Sequence, residues 1–275
     1  MTGAGKKAAE EGEGCKMQIE VVAKEKKLNR LTLLVKDVTP TFMNTLRRNI
    51  IDEVPTMAIK EVEFRKNSSA LYDEIIALRL GLIPLTTDLK SYNLPEECTC
   101  NGEGCLKCTL KLTLSKKTPG MVYASEIKSK DPKVRPAFPE MPIVKLLKGQ
   151  ELEFEATATL GRGKDHMKYS PCHCWYRNVP EIECDKVKDA GKIIKVCPTN
   201  VFEVKGNRLN VKNVNACILC GACADADENM KLNIKTNQYL MYIESFGQLE
   251  PEEILKQGIT VLDKQLDEFE KIIPD

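Results

Sequence analysis

The chain has 275 residues and a net charge of +1 at pH 7, from 41 basic and 40 acidic side chains. This balance gives no bulk electrostatic case for binding nucleic acid or an acidic membrane surface. No apolar run approaches the length of a membrane span. Twelve cysteines in Cys-x2-Cys patterns indicate metal ligands in a reducing compartment rather than disulfides. We therefore expect a soluble, cytoplasmic protein with one large core or two to three smaller ones.

The N-terminal segment begins with a charged stretch and continues into short apolar runs. Residues 1–15 lack a signal-peptide core and predict a disordered tail. Apolar runs at 17–23 and 31–35 are consistent with a hairpin. A helix follows, with Thr39 as its cap and Pro40 in its first turn. Its apolar side chains recur every fourth residue, at Phe42, Leu46, Ile50 and Val54.

The next segment, 57–64, predicts a strand whose alternation breaks once, and 71–82 is a mixed apolar segment. A cysteine-rich loop comes after it, with Gly102 and Gly104 allowing sharp turns. Four thiolates so close together suit a closed tetrahedral zinc site. The alternative is a degenerate site that binds no metal. The four cysteines lie within eleven residues, at Cys98, Cys100, Cys105 and Cys108.

Residues 152–160 alternate cleanly and predict a half-buried strand. Beyond it, the tripeptide Cys172-His173-Cys174 places three potential ligands too close together to reach one ion easily. We expect free thiols and a surface histidine there, and we expect Cys15 and Cys184 to be unligated.

A third cysteine-rich segment has the spacing of a bacterial ferredoxin run, in which three close thiolates and a remote Cys-Pro thiolate hold one iron–sulfur cluster. The runs 201–204 and 208–211, on either side of Gly206-Asn207, predict a hairpin that brings the remote cysteine back to the loop. We therefore expect one [4Fe-4S] cluster. Its predicted ligands are Cys197, Cys217, Cys220 and Cys223.

The ligands of a second ferredoxin cluster are missing together. A complete first run would place cysteines at positions 187, 190 and 193, and its reciprocal ligand at 227. The chain instead has Val187, Ala190, Ile193 and Asp227. This substitution pattern favours a single cluster.

The C-terminal segment predicts a strand at 239–243 and then a long helix that opens with acidic residues at 250–253. Its apolar positions step by four and three, which is a heptad seam. The seam can dock on the chain's own sheet, on a partner, or on both through different faces. The seam positions are Leu255, Ile259, Leu262, Leu266, Phe269 and Ile273.

Four segments together resemble the family of D-type subunits of archaeal RNA polymerase, the counterparts of bacterial alpha and of the third-largest eukaryotic polymerase subunit. They are Phe-Met-Asn-Thr-Leu-Arg-Arg at 42–48, the stretches 53–59 and 71–85, and Leu-Gly-Arg-Gly-Lys-Asp-His at 160–166. The resemblance implies an α+β fold in three parts. These are a discontinuous dimerisation domain at 16–88 and 231–275, an inserted mixed α/β domain at 89–182, and a ferredoxin-like iron–sulfur domain at 183–230.

The resemblance also implies a non-catalytic assembly subunit of DNA-dependent RNA polymerase. Such a subunit pairs with a small subunit of the L type, helps to assemble the large catalytic subunits, and meets DNA only through the complex. We expect the partner interface on the first and last helices. The residues expected there are Phe42, Leu46, Arg47, Arg48, Ile50, Leu255, Ile259, Leu262, Leu266 and Phe269.

The competing hypothesis is an electron-transfer or oxidoreductase subunit that carries a ferredoxin module. Electron transfer requires neither the Leu-Arg-Arg helix nor the long terminal helix, and the chain shows no second redox centre to relay electrons. Its two histidines, His166 and His173, belong to no recognisable catalytic arrangement. The sequence therefore favours the polymerase subunit.

Overall fold

The computed structural model describes residues 17–184, 187–206 and 208–273. The predicted tail, Cys15 and Asn207 of the predicted turn lie outside the described residues. The described part is α+β. Its helices are α1 (Pro40–Asp52), α2 (Asp73–Gly81), α3 (Ala190–Val196), α4 (Ala222–Ala226) and α5 (Pro251–Ile272). Its strands are β1 (Gln18–Glu25), β2 (Arg30–Lys36), β3 (Thr56–Asn67), β4 (Thr109–Lys116), β5 (Gly120–Tyr123), β6 (Lys128–Ser129), β7 (Pro142–Leu146), β8 (Leu152–Gly161), β9 (Cys172–Glu183), β10 (Phe202–Lys205), β11 (Arg208–Val211) and β12 (Lys231–Ser245).

The chain divides into two compact units. The first contains the described residues up to Glu20, then Leu33–Pro40 and Arg177–Leu240. The second contains Val21–Thr32, Thr41–Tyr176 and the residues from Met241 onward. The described residues of the predicted iron–sulfur segment lie in the first unit, and the loop from Cys98 to Cys108 lies in the second.

The second unit is built on an antiparallel sheet with the strand order β3-β8-β4-β6. Apolar residues of β8 face inward at alternate positions because successive side chains of a strand point to opposite faces. Ala158 pairs with both Ile59 and Leu110 across the sheet. The register of β3 shifts twice, between Ile59 and Glu61 and between Phe64 and Lys66. The first shift lies within 57–64 and is the single break in alternation that the sequence predicted, whereas the second was not predicted.

One hydrophobic core runs through the middle of this unit. Met57, Leu80 and Leu85 are fully or almost fully buried in the same cluster as Leu112 and Phe154. The domain boundary drawn from the sequence, between residues 88 and 89, therefore lies inside a continuous core. The strand β3 and the helix α2 pack with the inserted segment.

The helices α1 and α5 pack closely against each other in the second unit. A Cβ on Gly258 of α5 would lie 2.5 Å from Ile50 Cγ1, so the absent side chain permits the contact. Asn49 Nδ2 donates to Gln265 Oε1 at 2.8 Å and links the same two helices. The predicted helix over 40–54 is confirmed as α1, and the terminal helix as α5.

Another four-stranded sheet has the order β1-β2-β12-β9. The neighbouring positions of β1 and β2 confirm the hairpin predicted for the first two apolar runs.

None of the described helices combines the length and the apolar character that crossing a bilayer requires.

The first unit has a small core of its own around α3, α4 and the hairpin β10–β11. The hairpin is antiparallel, with Phe202 opposite Val211 and Val204 opposite Leu209, so the predicted hairpin is confirmed. Its buried side chains share one cluster with Ile193 and with two of the predicted iron ligands, Cys217 and Cys223. The cysteines are therefore part of the packing that holds this unit together.

Candidate metal centres

The four cysteines of the loop between α2 and β4 lie together in the second unit. The distance from Cys98 Sγ to Cys105 Sγ is 3.5 Å, as is that from Cys100 Sγ to Cys108 Sγ. All four sulfurs lie within 4.8 Å of one another. Four thiolates at this separation can hold one metal ion. The predicted gathering of these residues is confirmed.

Local backbone geometry produces this arrangement. The N–H of Asn101 donates to Cys98 O at 2.9 Å, so Cys98 and Cys100 lie in one tight turn. The N–H of Cys108 donates to Cys105 O at 3.0 Å, so these two cysteines form the ends of another. Asn101, Gly102 and Gly104 all have positive φ angles, of 49°, 85° and 93°. Glycine adopts such angles without steric cost and asparagine tolerates them. The asparagine and the two glycines therefore allow the backbone turns that bring the four cysteines together.

The electrostatics of the loop differ from one thiol to the next. The backbone at Gly104, and then the Cys108 side chain, lower the pKa of Cys100 to about 6 through hydrogen bonds. Burial raises the pKa of Cys108 to about 12. Metal binding requires thiolates, so an ion that binds here displaces protons, most of all from Cys108.

The neighbouring segment 161–164 ties this loop to the end of α1. A Cβ on Gly163 would lie 2.1 Å from Ile51 O, so only glycine allows the approach. Arg162 Nη2 lies 2.6 Å from Glu97 Oε1, next to the first ligand, and Arg162 Nε lies 3.7 Å from Glu53 Oε2. This glycine-rich motif therefore has a packing role, which its sequence alone did not reveal.

The second group of predicted ligands occupies three elements of the first unit. Cys197 is the C-cap of α3, Cys217 is the C-cap of the short 3-10 helix Val214–Ala216, and Cys223 lies in α4. Cys217 and Cys223 are each 6% exposed, while Cys220 is exposed. Outside the Cys98–Cys108 loop, no three described His, Cys, Asp or Glu side chains approach as closely as a single ion requires. This second group is therefore not arranged around one ion.

Backbone groups nevertheless surround the sulfurs of the second group. The Leu219 N–H donates to Cys217 Sγ at 3.4 Å. Burial pushes the pKa of Cys197 upward, but hydrogen bonds from the backbone of Val201, Thr199 and Asn200 outweigh it, and the net shift is downward. Burial raises the pKa of Cys223, and the nearby Cys217 and Cys220 thiolates add to this effect.

The four positions at which a second ferredoxin cluster would have its ligands are occupied by residues with structural roles. Ile193 is fully buried, and Val187 and Ala190 pack against the same core. Asp227 accepts hydrogen bonds from the backbone N–H groups of Lys188 and Asn229, at 2.8 and 2.9 Å. These four residues serve the fold of the unit.

The Cys172-His173-Cys174 tripeptide lies on β9, where alternation separates its side chains. Cys172 and Cys174 are buried, at 0% and 2% exposure, whereas His173 is exposed and its ring lies 4.7 Å from that of Trp175. A hydrogen bond with Cys174, followed by burial, raises the pKa of Cys172 far above its ordinary value. These three side chains do not converge on one ion.

The apolar residues predicted for the partner interface fall into three classes of exposure. Leu46 and Ile50 are buried, at 3% and 0% exposure, and contribute to the packing of this chain. Leu266 and Phe269 are 54% and 60% exposed. Half-buried positions lie between these extremes, at Leu255, Ile259 and Leu262.

The arginines of α1 contact their own helix. Arg47 Nη2 donates to Asn44 Oδ1 at 3.0 Å, and Arg48 Nε lies 3.8 Å from Asp52 Oδ2. Phe42, on the same helix, is 37% exposed.

Comparison with known proteins identifies the family. A family model described as the RNA polymerase Rpb3/RpoA insert domain matches residues 59–172. The DNA-directed RNA polymerase subunit Rpo3 of Methanosphaera stadtmanae is 37% identical over 263 residues, which cover 91% of this chain and 96% of the relative. The Archaeoglobus fulgidus subunit is 37% identical over 262 residues, with 94% and 99% covered. The Pyrococcus furiosus subunit is 37% identical over 256 residues, with 91% and 95% covered.

The chain belongs to the Rpo3 family of DNA-directed RNA polymerase subunits. The family resemblance recognised in the sequence is thereby confirmed. Members of the Rpo3 family are subunits of a nucleotidyltransferase complex that carries out transcription, and the subunit itself is non-catalytic.

Proposed function

We propose that this chain is an assembly subunit of DNA-directed RNA polymerase, which pairs with a small subunit and helps to gather the large catalytic subunits. The observation that carries the proposal is its 37% identity to an Rpo3 subunit over 94% of this chain. We expect such a subunit to act in the cytoplasm and to meet DNA only through the complex.

The C-terminal half of α5 supports the pairing. Leu266, Phe269 and Ile272 are 54%, 60% and 77% exposed, and Ile273, the C-cap of the helix, is 55% exposed. Monomeric soluble proteins rarely leave such a patch uncovered. The N-terminal half of the same helix is anchored by Ile254 and Gly258, which are buried. One helix can thus hold its own core and present a surface to a partner.

Some of the predicted interface residues are buried within this chain, so fewer of them can contact a partner. Ile50 packs against Gly258 of α5, and Leu46 is buried within this chain, so we propose that both support the partner surface without forming it. The proposed contact is centred on Leu266 and Phe269, with the half-buried seam positions Leu255, Ile259 and Leu262 beside them. Arg48 lines the same hollow as Leu262, so we propose that it contacts the partner at the edge of this surface, and Arg47 remains a proposed partner contact.

A double substitution tests the pairing. Full burial of a Leu or Phe side chain contributes roughly 1.5–3 kcal/mol, so Leu266→Asp with Phe269→Asp should reduce co-purification of the small subunit by about tenfold or more. The melting temperature of the isolated chain should barely change. Leu147→Asp, at a site that is 57% exposed, is the matched control. Undiminished co-purification of the double variant would place the interface elsewhere.

We further propose one [4Fe-4S] cluster in the first unit, bound by Cys197, Cys217, Cys220 and Cys223. The ferredoxin spacing supports it, as does the clustering of three of these residues in one small core. In a four-iron cluster each thiolate binds a different iron, so the sulfurs lie farther apart than around one ion. When bound, the cluster would cross-link the end of α3, the loop that follows the hairpin, and α4.

The loop of Cys98, Cys100, Cys105 and Cys108 is proposed to hold zinc. Four sulfurs about 2.3 Å from a tetrahedral zinc ion lie about 3.8 Å from one another. Three of the six sulfur separations, at 3.5, 3.5 and 3.8 Å, are close to that figure, and all six are within 4.8 Å. A structural zinc site would hold together a loop that is too small to have a core.

The electron-transfer hypothesis remains the alternative because a ferredoxin-type cluster can carry an electron. Affinity purification of the tagged chain from its host separates the two functions. Recovery of the large polymerase subunits supports the assembly role. Recovery of a redox enzyme without them would support the alternative.

A further inference from the structure

The helix α2 carries apolar side chains on two faces. Ile76 and Leu80 are fully buried in the core of the second unit, whereas Ile75, Leu78 and Leu82 are 41%, 61% and 53% exposed. The exposed positions are three and four residues apart, so they lie along one side of the helix. The core accounts for the first face and leaves the second uncovered.

The exposed face continues into two adjoining hollows that share Leu82 and Lys168. The larger hollow, of about 500 Å³, also contains Leu28, Phe138 and Met167, which are 47%, 49% and 60% exposed. The smaller hollow is lined by Leu78 together with Ile59, Val62 and His166. We call this surface, formed by Leu28, Leu78, Leu82, Phe138, Met167 and Lys168, the Lys168 patch.

Lys168 is a partly buried cation with no anionic partner among the described residues. Its Nζ donates to Ile59 O at 2.9 Å and lies 5.2 Å from the centroid of the Tyr169 ring. No carboxylate oxygen in the described ranges lies within ion-pairing distance of it. By contrast, Lys116 and Lys133 each lie 2.7 Å from a carboxylate. Burial lowers the pKa of Lys168, and the charge of Lys60 lowers it further.

The other charges around the patch do not neutralise it. Lys27 lines the larger hollow and Lys60 the smaller one, and neither forms an ion pair with a described residue. Glu244, also in the larger hollow, lies 3.8 Å from Arg30 Nη1. A desolvated cation is costly unless it is paired. The patch is therefore complementary to a group that brings a negative charge.

We propose that the Lys168 patch docks a segment of another polymerase subunit in which a carboxylate lies beside apolar side chains. The carboxylate would pair with Lys168, and the apolar side chains would cover Leu78, Leu82 and Met167. The proposal rests on the proposed assembly function and names a second contact surface for it. A nucleic acid fits less well, because phosphate binding uses many cations and base stacking uses exposed aromatic rings, while the patch is mainly aliphatic.

The apolar part of the proposal is tested in the assembled polymerase, purified through a tagged chain. Leu82→Asp with Met167→Asp should lower the retention of at least one other subunit by about tenfold, the factor that 1.4 kcal/mol produces. Leu147→Asp, at a similarly exposed leucine, should lower it little. Full retention of every subunit by the double variant would overturn the proposal.

The charge is tested with Lys168→Met and Lys168→Arg. If a partner neutralises Lys168, the melting temperature of the isolated Met variant should be unchanged or higher. The same variant should retain less of the partner subunit, and this retention should depend less on salt concentration. The Arg variant should restore much of the retention. If Lys168 serves only to hold Ile59 O, the Met variant should melt earlier and assemble normally, which would overturn the proposal.

A photo-crosslinking residue, introduced as Met167→benzoylphenylalanine, identifies the partner in purified polymerase. The expected product joins the chain to a peptide with an Asp or Glu beside apolar residues. A cross-link only to nucleic acid, or none in fully assembled polymerase, would overturn the proposal. Failure of the unsubstituted chain to co-purify with polymerase would overturn the assembly function as well, so the two failures are distinguishable.

Discussion

The two cysteine groups of this protein are built in different ways. In the loop from Cys98 to Cys108, short backbone turns bring all four sulfurs within 4.8 Å of one another. In the first unit, Cys197, Cys217 and Cys223 come from separate elements and take part in a common core. The first group depends on a short loop, and the second depends on the packing of a whole unit.

This difference determines what each metal would stabilise. A zinc ion in the first loop would fix the loop and little else, because the large core of the second unit is formed by β3, β4, β8 and α2. A cluster in the first unit would replace much of the core that so small a unit lacks. We therefore expect loss of iron to unfold its unit and loss of zinc to have a local effect.

The largest expected effect follows Cys220→Ser. Cys220 is the exposed member of its group, so this change removes a ligand with little disturbance of the packing. We expect loss of iron, loss of the visible thiolate-to-iron absorption, and loss of amide protection in the hairpin β10–β11. Iron analysis, absorption spectra and hydrogen exchange measure these three properties.

The matched control for that experiment is Cys184→Ser. Cys184 packs against the same core, and its Sγ lies 3.7 Å from Leu209 O, but it is not a predicted ligand. This variant should keep its colour and about four irons per chain. About eight irons per unsubstituted chain would contradict the single cluster, and a colourless Cys184 variant would contradict the proposed ligand set.

A smaller effect is expected from Cys105→Ser. Zinc should fall from about one per chain to none, with increased hydrogen exchange confined to the loop, because the remaining three thiolates cannot close the site. Iron content should not change. Leu106→Ser, at a neighbouring side chain that is 93% exposed, should keep its zinc. An unsubstituted chain that binds no zinc after anaerobic purification would remove this proposal.

Local features of the fold were predicted well from the sequence. The four-cysteine loop, the helix α1 and the hairpin β10–β11 all depend on residues close together in the chain. The helix α2 was not recognised because both of its faces are apolar, with Ile76 inward and Leu78 outward. Recognition of a surface helix from its sequence relies on a polar face opposite the apolar one. A helix that is apolar on both faces lacks this signal.

Packing between distant segments was predicted less well. The core that joins β3 to β8 crosses the predicted domain boundary, since strand pairing does not follow sequence separation. The contact of Gly258 with Ile50, which buries part of the predicted interface, depends on the absence of a side chain. Gly163 is a similar case. A single sequence offers no signal that distinguishes such glycines from those in loops.

The smallest effects, and the sharpest comparison of the two centres, come from two glycines. Gly104, in the loop from Cys98 to Cys108, has φ +93°. Gly221, between the proposed iron ligands Cys220 and Cys223, has φ +80°. An added Cβ would meet only Thr109 Cγ2, at 3.5 Å, in the first case and nothing within 4 Å in the second. Replacing either by alanine should therefore cost about 1–2 kcal/mol, mainly through the left-handed backbone.

In each variant, this free-energy cost should weaken the binding of only the metal whose ligands lie beside the replaced glycine. Gly104→Ala should weaken zinc binding by about tenfold in a chelator competition, and Gly221→Ala should speed the loss of iron to a chelator by a similar factor, since about 1.4 kcal/mol corresponds to tenfold. Gly149→Ala is the control, because Gly149 has φ +81°, an added Cβ there meets nothing within 4 Å, and it lies outside both centres. Loss of zinc from the Gly221 variant, or of iron from the Gly104 variant, would show that the centres are coupled.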